Sequence, residues 1–121
     1  MMPKWQAIFP SEQSKDPLME RAVLADNRLF GVYLHRFKAD SNRPIIAGHD
    51  HPWDFITVVL AGGYDEQRCC CHSVPRTRGA FGFRTAETVH KLRLHATGAL
   101  TLCVRGPARK GWAWRALPGG Q

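Results

Sequence analysis

His49-Asp50-His51-Pro52-Trp53-Asp54 runs into Phe55-Ile56-Thr57-Val58-Val59-Leu60-Ala61-Gly62-Gly63, a His-x-His pair at the mouth of a β-branched strand that ends in two glycines. Side chains two apart on a strand project from one face, so both imidazoles can converge on one point, as a metal bound by neutral ring nitrogens requires. Two ligands do not complete a site. His90 lies in Thr88-Val89-His90-Lys91-Leu92-Arg93-Leu94, a second alternating segment, and a rolled-up sheet would set it opposite the pair.

Working outward, Ser14 to Ala25 carries Asp16 before Pro17 and then helix-forming residues, with Leu18, Ala22 and Ala25 near one face. This predicts one short N-terminal helix. From Leu29 to Phe37 the texture is that of a strand, and Lys38 to Gly48 reads as a polar loop around Pro44. Gly62-Gly63 is expected to turn the chain into a strand over Tyr64 to Val74, followed by a basic turn from Pro75 to Gly79 and a strand beginning at Phe81. His90 to His95, Leu100 to Arg105 and Trp112 to Leu117 complete the set, broken at Thr97-Gly98-Ala99 and Gly106-Pro107. Seven or eight short strands with little helix point to a barrel or sandwich, with residues 1–27 as a lead and 29–117 as the β-domain of one 121-residue unit.

Composition agrees with a single globular domain, at 44% apolar residues. No apolar run approaches the length of a membrane span and the first residues hold no apolar signal core, so a soluble, cytoplasmic protein is expected. Seventeen basic against ten acidic residues give a formal charge of +7, which suits a polyanion or a small anionic ligand. The basic residues are dispersed, unlike those of a nucleic-acid arm, and Trp5, Trp53, Trp112 and Trp114 form no interleaved recognition motif, so nucleic acid is the weaker reading. Trp112 and Trp114 alternate as barrel-closing residues do. Cys69-Cys70-Cys71-His72 alternates between two faces and leaves Cys103 as the remaining sulfur, which makes neither a zinc cage nor a disulfide scaffold; reduced thiols are expected.

These landmarks resemble the cupin superfamily. Its first motif is written as glycine, five residues, His-x-His, three or four residues, glutamate, six residues, glycine, and its second as glycine, five residues, proline-x-glycine, two residues, histidine. His49 and His51 match the pair, Gly62 the closing glycine, and Gly79 and His90 the ends of the second motif. His51-Pro52-Trp53-Asp54-Phe55 with Leu60 to Tyr64 also resembles a group of small bacterial and phage-associated cupins. Phe55 stands where the glutamate ligand belongs, and Thr85 and Glu87 replace the proline and second glycine of motif two.

The resemblance implies an all-β jelly-roll barrel, often dimeric, holding one divalent metal (iron, nickel, zinc or manganese) through His49, His51 and His90. Asp54 could join them only if a bulge at Pro52-Trp53 reversed its strand face. Tyr33, His35 and Phe37 share a strand face, which makes Tyr33 and His35 candidates for the cavity wall, His35 as a fourth ligand or proton shuttle, against a plain packing role. Arg84, Arg36 or Arg93 would pair with an anionic substrate. An enzyme of dioxygenase, isomerase or hydrolase type is one reading; a non-catalytic module that holds a small ligand is the other.

Overall fold

The computed structural model describes residues 4–8, 19–38, 45–69 and 72–111. They form eight strands: β1 (Trp5–Ile8), β2 (Met19–Asp26), β3 (Gly31–Phe37), β4 (Ile45–His49), β5 (Phe55–Cys69), β6 (His72–Thr77), β7 (Phe81–Arg84) and β8 (His90–Arg105). The order is β1-β2-β3-β8-β5-β6, with β4 also on β8 and β7 also on β5, and every pairing is antiparallel. The fold is therefore all-β, but hydrogen bonding does not close it into a barrel: β1 and β6 end the path unpaired with each other among the described residues. Pro75 sits on that β6 edge, opposite Asp65, where the missing N–H interrupts no inner ladder.

The expected N-terminal helix is not present among the described residues. Met19 to Asp26 is a strand paired on both sides, Ala22 facing Trp5 of β1 and Leu34 of β3. The helix formers Met, Glu, Arg, Ala and Leu are overridden by two ladders, because propensity amounts to only tenths of a kcal/mol per residue against tertiary pairing. Residues 14–18 of that expectation and the strand expected at 112–117 lie outside the described residues. Part of the expected 38–48 loop is also strand, β4.

Two expected turns are bends instead. β5 runs unbroken through Gly62-Gly63, and β8 runs unbroken through Thr97-Gly98-Ala99. Gly62 (φ 65) and Gly98 (φ 73) occupy the left-handed region that glycine enters without a Cβ penalty. They also touch, since a Cβ on Gly62 would stand 2.1 Å from the Gly98 carbonyl oxygen. The two longest strands thus fold over together at one corner. The corner switches parity: Phe55 and Val59 point inward before it, Tyr64 and Glu66 after it. On β8 the inward set changes from His90, Leu92 and Leu94 to Ala99, Thr101 and Cys103. A real turn follows β6, where the Ala80 N–H donates to the Thr77 carbonyl at 2.8 Å and Gly79 has φ 92.

Inside the fold, Phe37, Val59, Tyr64, Leu92, Leu94 and Ala99 make one buried cluster, and Tyr33, Phe55 and Cys103 a second that Trp53 packs against. Each fully buried large apolar side chain stabilises by about 1.5–3 kcal/mol. The outer sheet face is also apolar. Phe83, Ile56 and Val104 stand side by side across β7, β5 and β8, at 58%, 44% and 38% exposure, beside Phe81. No helix among the described residues is long and apolar enough to cross a membrane.

Candidate metal centre

β4 delivers His49 as its last residue, backbone-paired to His90 at the start of β8. The chain then bends at Pro52-Trp53 before β5, so His51 reaches the site from a connecting segment and not from the strand itself. The rings still converge, with centroids 4.8 Å apart for His49 and His51, 4.6 Å for His49 and His90, and 5.0 Å for His51 and His90. One nitrogen from each ring lies within 4.8 Å of the others.

Beneath His90 is a residue that motif reading did not single out. Glu66 of β5 is 5% exposed and its Oε2 lies 2.8 Å from His90 Nδ1. Arg84 holds the same carboxylate by two N–H donors, Nη2 to Oε1 at 2.6 Å and Nε to Oε2 at 3.1 Å, and Arg76 adds a charge at 3.4 Å. Burial alone would push the Glu66 carboxyl up; hydrogen bonds from His90 and Arg84 overcome it and hold the group well below the usual carboxylate range. An ionised carboxylate only accepts, so His90 carries its proton on Nδ1 and turns the Nε2 lone pair toward His49, whose Nε2 is 3.1 Å away. Such a carboxylate–histidine pair fixes the tautomer and raises ligand basicity.

The donor set fits a divalent transition metal. Burial, then the neighbouring His90 and His49, pushes the His51 imidazole down to about 2, so it stays neutral, the form that ligates. His51 Nδ1 is buried without a hydrogen-bond partner, which a native interior seldom tolerates.

The three rings form part of the wall of a cavity of about 350 Å³. His35 lines it as well, pushed down to about 4 by burial and by Arg21, as do Tyr64, Phe55, Leu92 and Arg21. The Tyr64 phenol is pushed up to about 12 by burial and by Glu66, so it remains a proton donor. Cys103 also lines the cavity, as a thiol pushed up to about 12 by burial.

Other candidates are placed elsewhere. Asp54 stands apart from the three-histidine group: its Oδ1 accepts from the Ala86 N–H at 2.7 Å and from Arg109 at 2.9 Å, tying the bend to the segment after β7. Arg84 is engaged by Glu66 and the Phe83 carbonyl. Arg36 pairs with Glu20 and lies over the Trp5 ring at 4.0 Å, and Arg93 is exposed; none of these three lines the cavity. Tyr33 is buried behind the wall, its hydroxyl 2.9 Å from Arg105 Nε and 3.1 Å from Asp26. Cys70 and Cys71 lie outside the described residues.

Neither a protein-family model nor a curated protein matches this sequence. Solved structures do match. KdgF from a Halomonas species superposes with a TM-score of 0.66 at 17% identity, over 88% of this chain and 89% of that one. The DMSP lyase DddQ from Ruegeria pomeroyi gives 0.74 at 17% identity, over 98% of this chain and 64% of the lyase. An RmlC-like cupin from Desulfovibrio desulfuricans gives 0.60 at 21% identity, over 86% and 96%. At these identities the likeness is one of architecture. The chain has the cupin fold.

Proposed function

We propose that this protein binds one divalent transition metal through His49, His51 and His90 and acts on a small molecule taken into the adjoining cavity. The observation that carries the reading is the convergence of three imidazoles on one cavity wall, with the Glu66 carboxylate orienting one of them. Three protein donors leave a coordination position for substrate or water, the pattern of catalytic sites, whereas structural sites close with four. When bound, such a cation supplies a Lewis acid that polarises an oxygen of the substrate or activates water.

The chain's own groups then divide the work. Glu66 keeps the His90 proton on Nδ1, His35 offers a neutral base at the wall, and Tyr64 offers a phenolic proton. Phe55, Leu92 and Trp53 line the remaining space and exclude water from it. That one structural neighbour is a DMSP lyase is in keeping with a small substrate. The same reading includes pairing of two copies, supported by the exposed apolar row Phe83, Ile56 and Val104.

Metal analysis of protein purified without added metal tests the centre. About one equivalent is expected in the wild type, with strong depletion in His49→Ala, His51→Ala and His90→Ala, each retaining a β-sheet spectrum. Equal metal content in all four proteins would remove the proposal.

A further inference from the structure

The cavity has a charge that its own wall does not balance. Among the described residues that line it, Arg21 is the permanent cation and there is no carboxylate. Glu66 is shared between Arg84 and His90, and Asp50 faces Lys110, so neither of these nearby acids is paired with Arg21. The other basic side chains of the wall are the histidines His35, His49, His51 and His90. A divalent cation on the three histidines would add two further positive charges to the same small volume.

Arg21 is built into place. Along β2 the side chains alternate: Glu20 turns outward to Arg36, while Met19 and Arg21 turn into the cavity. Arg21 stands directly across from His35 on β3. Its guanidinium lies over the Tyr33 ring at 4.9 Å, and Tyr33 is itself fixed through its hydroxyl to Asp26 and Arg105. The Tyr33 ring thereby flanks the guanidinium, which leaves its N–H donors to select a partner. Arg21 Nε is buried with no hydrogen-bond partner, and no acid among the described residues forms an ion pair with Arg21. A buried guanidinium donor without an acceptor is costly unless a ligand supplies one.

The geometry points to Arg21 as the carboxylate anchor of the substrate: the protein takes small organic acids, the carboxylate seated on the Arg21 N–H edge and the rest of the molecule extending along the cavity toward the three histidines. This rests on the small-molecule reading of the cavity and does not require the metal. The planar fork matches a carboxylate in two-point contact. The volume of about 350 Å³ lies at the small end of ligand sites, which run from about 300 to 1,000 Å³, and admits a metabolite but no nucleic-acid strand.

Calorimetric titration of butanoate and its neutral isostere butanamide into zinc-loaded wild type, Arg21→Gln and Arg21→Lys tests this, each titration being repeated after chelation. Butanoate is expected to bind the wild type at least tenfold more tightly than butanamide. Arg21→Gln should abolish that preference and Arg21→Lys retain part of it, all three proteins taking up zinc alike. If the wild type takes up no zinc yet keeps an Arg21-dependent preference for the acid, the metal reading falls and the anchor stands. A preference undiminished in Arg21→Gln, or no preference in the wild type, overturns the anchor whatever the metal does. Should Arg21→Gln fail to fold, the acid–amide comparison in wild type and Arg21→Lys decides, since a structural arginine predicts no discrimination in either.

Discussion

Replacing Glu66 by Gln removes one negative charge and leaves the shape almost unchanged, which separates its two roles. Arg84 is only 7% exposed and keeps its charge after the substitution, with two former acceptors reduced to one amide oxygen. Breaking a buried pair from one side costs about 3–5 kcal/mol; Gln retains an acceptor, so the lower end, about 3 kcal/mol, is expected. An unfolding entropy of about 2.1 cal/mol/K per residue over 121 residues is about 0.25 kcal/mol/K, so the midpoint should fall by about 12 °C. The second role is orientation of His90. If the amide oxygen faces His90, the amide NH2 opposes Arg84; if the NH2 faces His90, the ring must present a lone pair at Nδ1 and a proton at Nε2, where the metal would sit. Metal affinity should therefore drop about 10- to 100-fold. Competition titration against a chromophoric chelator measures the second effect and calorimetry the first. The double substitution Glu66→Leu with Arg84→Met should recover much of the stability, since a buried pair exchanged for apolar groups is often neutral, while leaving affinity weak. Wild-type metal affinity in Glu66→Gln, at any stability, would refute the orienting role.

Other outcomes follow from the same geometry. With metal chelated, stability should decline as pH falls from about 6.5 toward 4: the unfolded chain takes up a proton at His35 that the folded chain, with its imidazole pushed down to about 4, refuses. At pH 5 that is about 2 kcal/mol, and His35→Asn should show a correspondingly smaller loss between pH 7 and pH 5; an identical loss would place the acid sensitivity elsewhere. Gly62→Ala should prevent stable folding, because its Cβ would meet the Gly98 carbonyl at 2.1 Å, whereas Gly79→Ala, with φ 92 but nothing within 4 Å, should cost only about 1–2 kcal/mol of backbone strain. Comparable denaturation midpoints for the two would mean that the corner yields. Sedimentation velocity at micromolar concentration should find a dimer that Phe83→Asp converts to monomer; a monomeric wild type would discard the pairing.

The strand-rich architecture and all three histidines were legible because a short-range pattern carried them: alternation, His-x-His, and a lone histidine in an apolar strand. Glu66 was not. Counting by twos from Phe55 along an unbroken strand sends Glu66 outward and Asp65 inward, and only the contact of Gly62 with Gly98, about 36 residues apart, reverses that parity. The glycines themselves were visible, but two adjacent glycines read as a hairpin unless their partner across the sheet is known. Arg21 was hidden for a different reason. Met19-Glu20-Arg21-Ala22 has strong helix formers, and a helical reading destroys the period-two relation that sets Arg21 inward and Glu20 outward. Arg84 reads in the sequence as a partner for an anionic substrate, yet its partner is Glu66, 18 residues earlier in the chain, and no local rule announces that pairing.

Strand β8 gives the molecule an order of assembly. It pairs with β3, β4 and β5 and supplies His90, yet it is the last of the eight strands to be synthesised. At about 5–20 residues per second, the stretch of about forty residues between His51 and His90 emerges over about 2–8 seconds, during which the first two histidines exist without the third. A nascent chain stopped at residue 89 would hold the β2–β3 and β5–β6 hairpins with no common partner, their open edges free to pair with other chains. The joining of those hairpins into one sheet and the completion of the three-histidine group would thus coincide in one late event, and a chaperone acting on this protein would find its substrate in that interval.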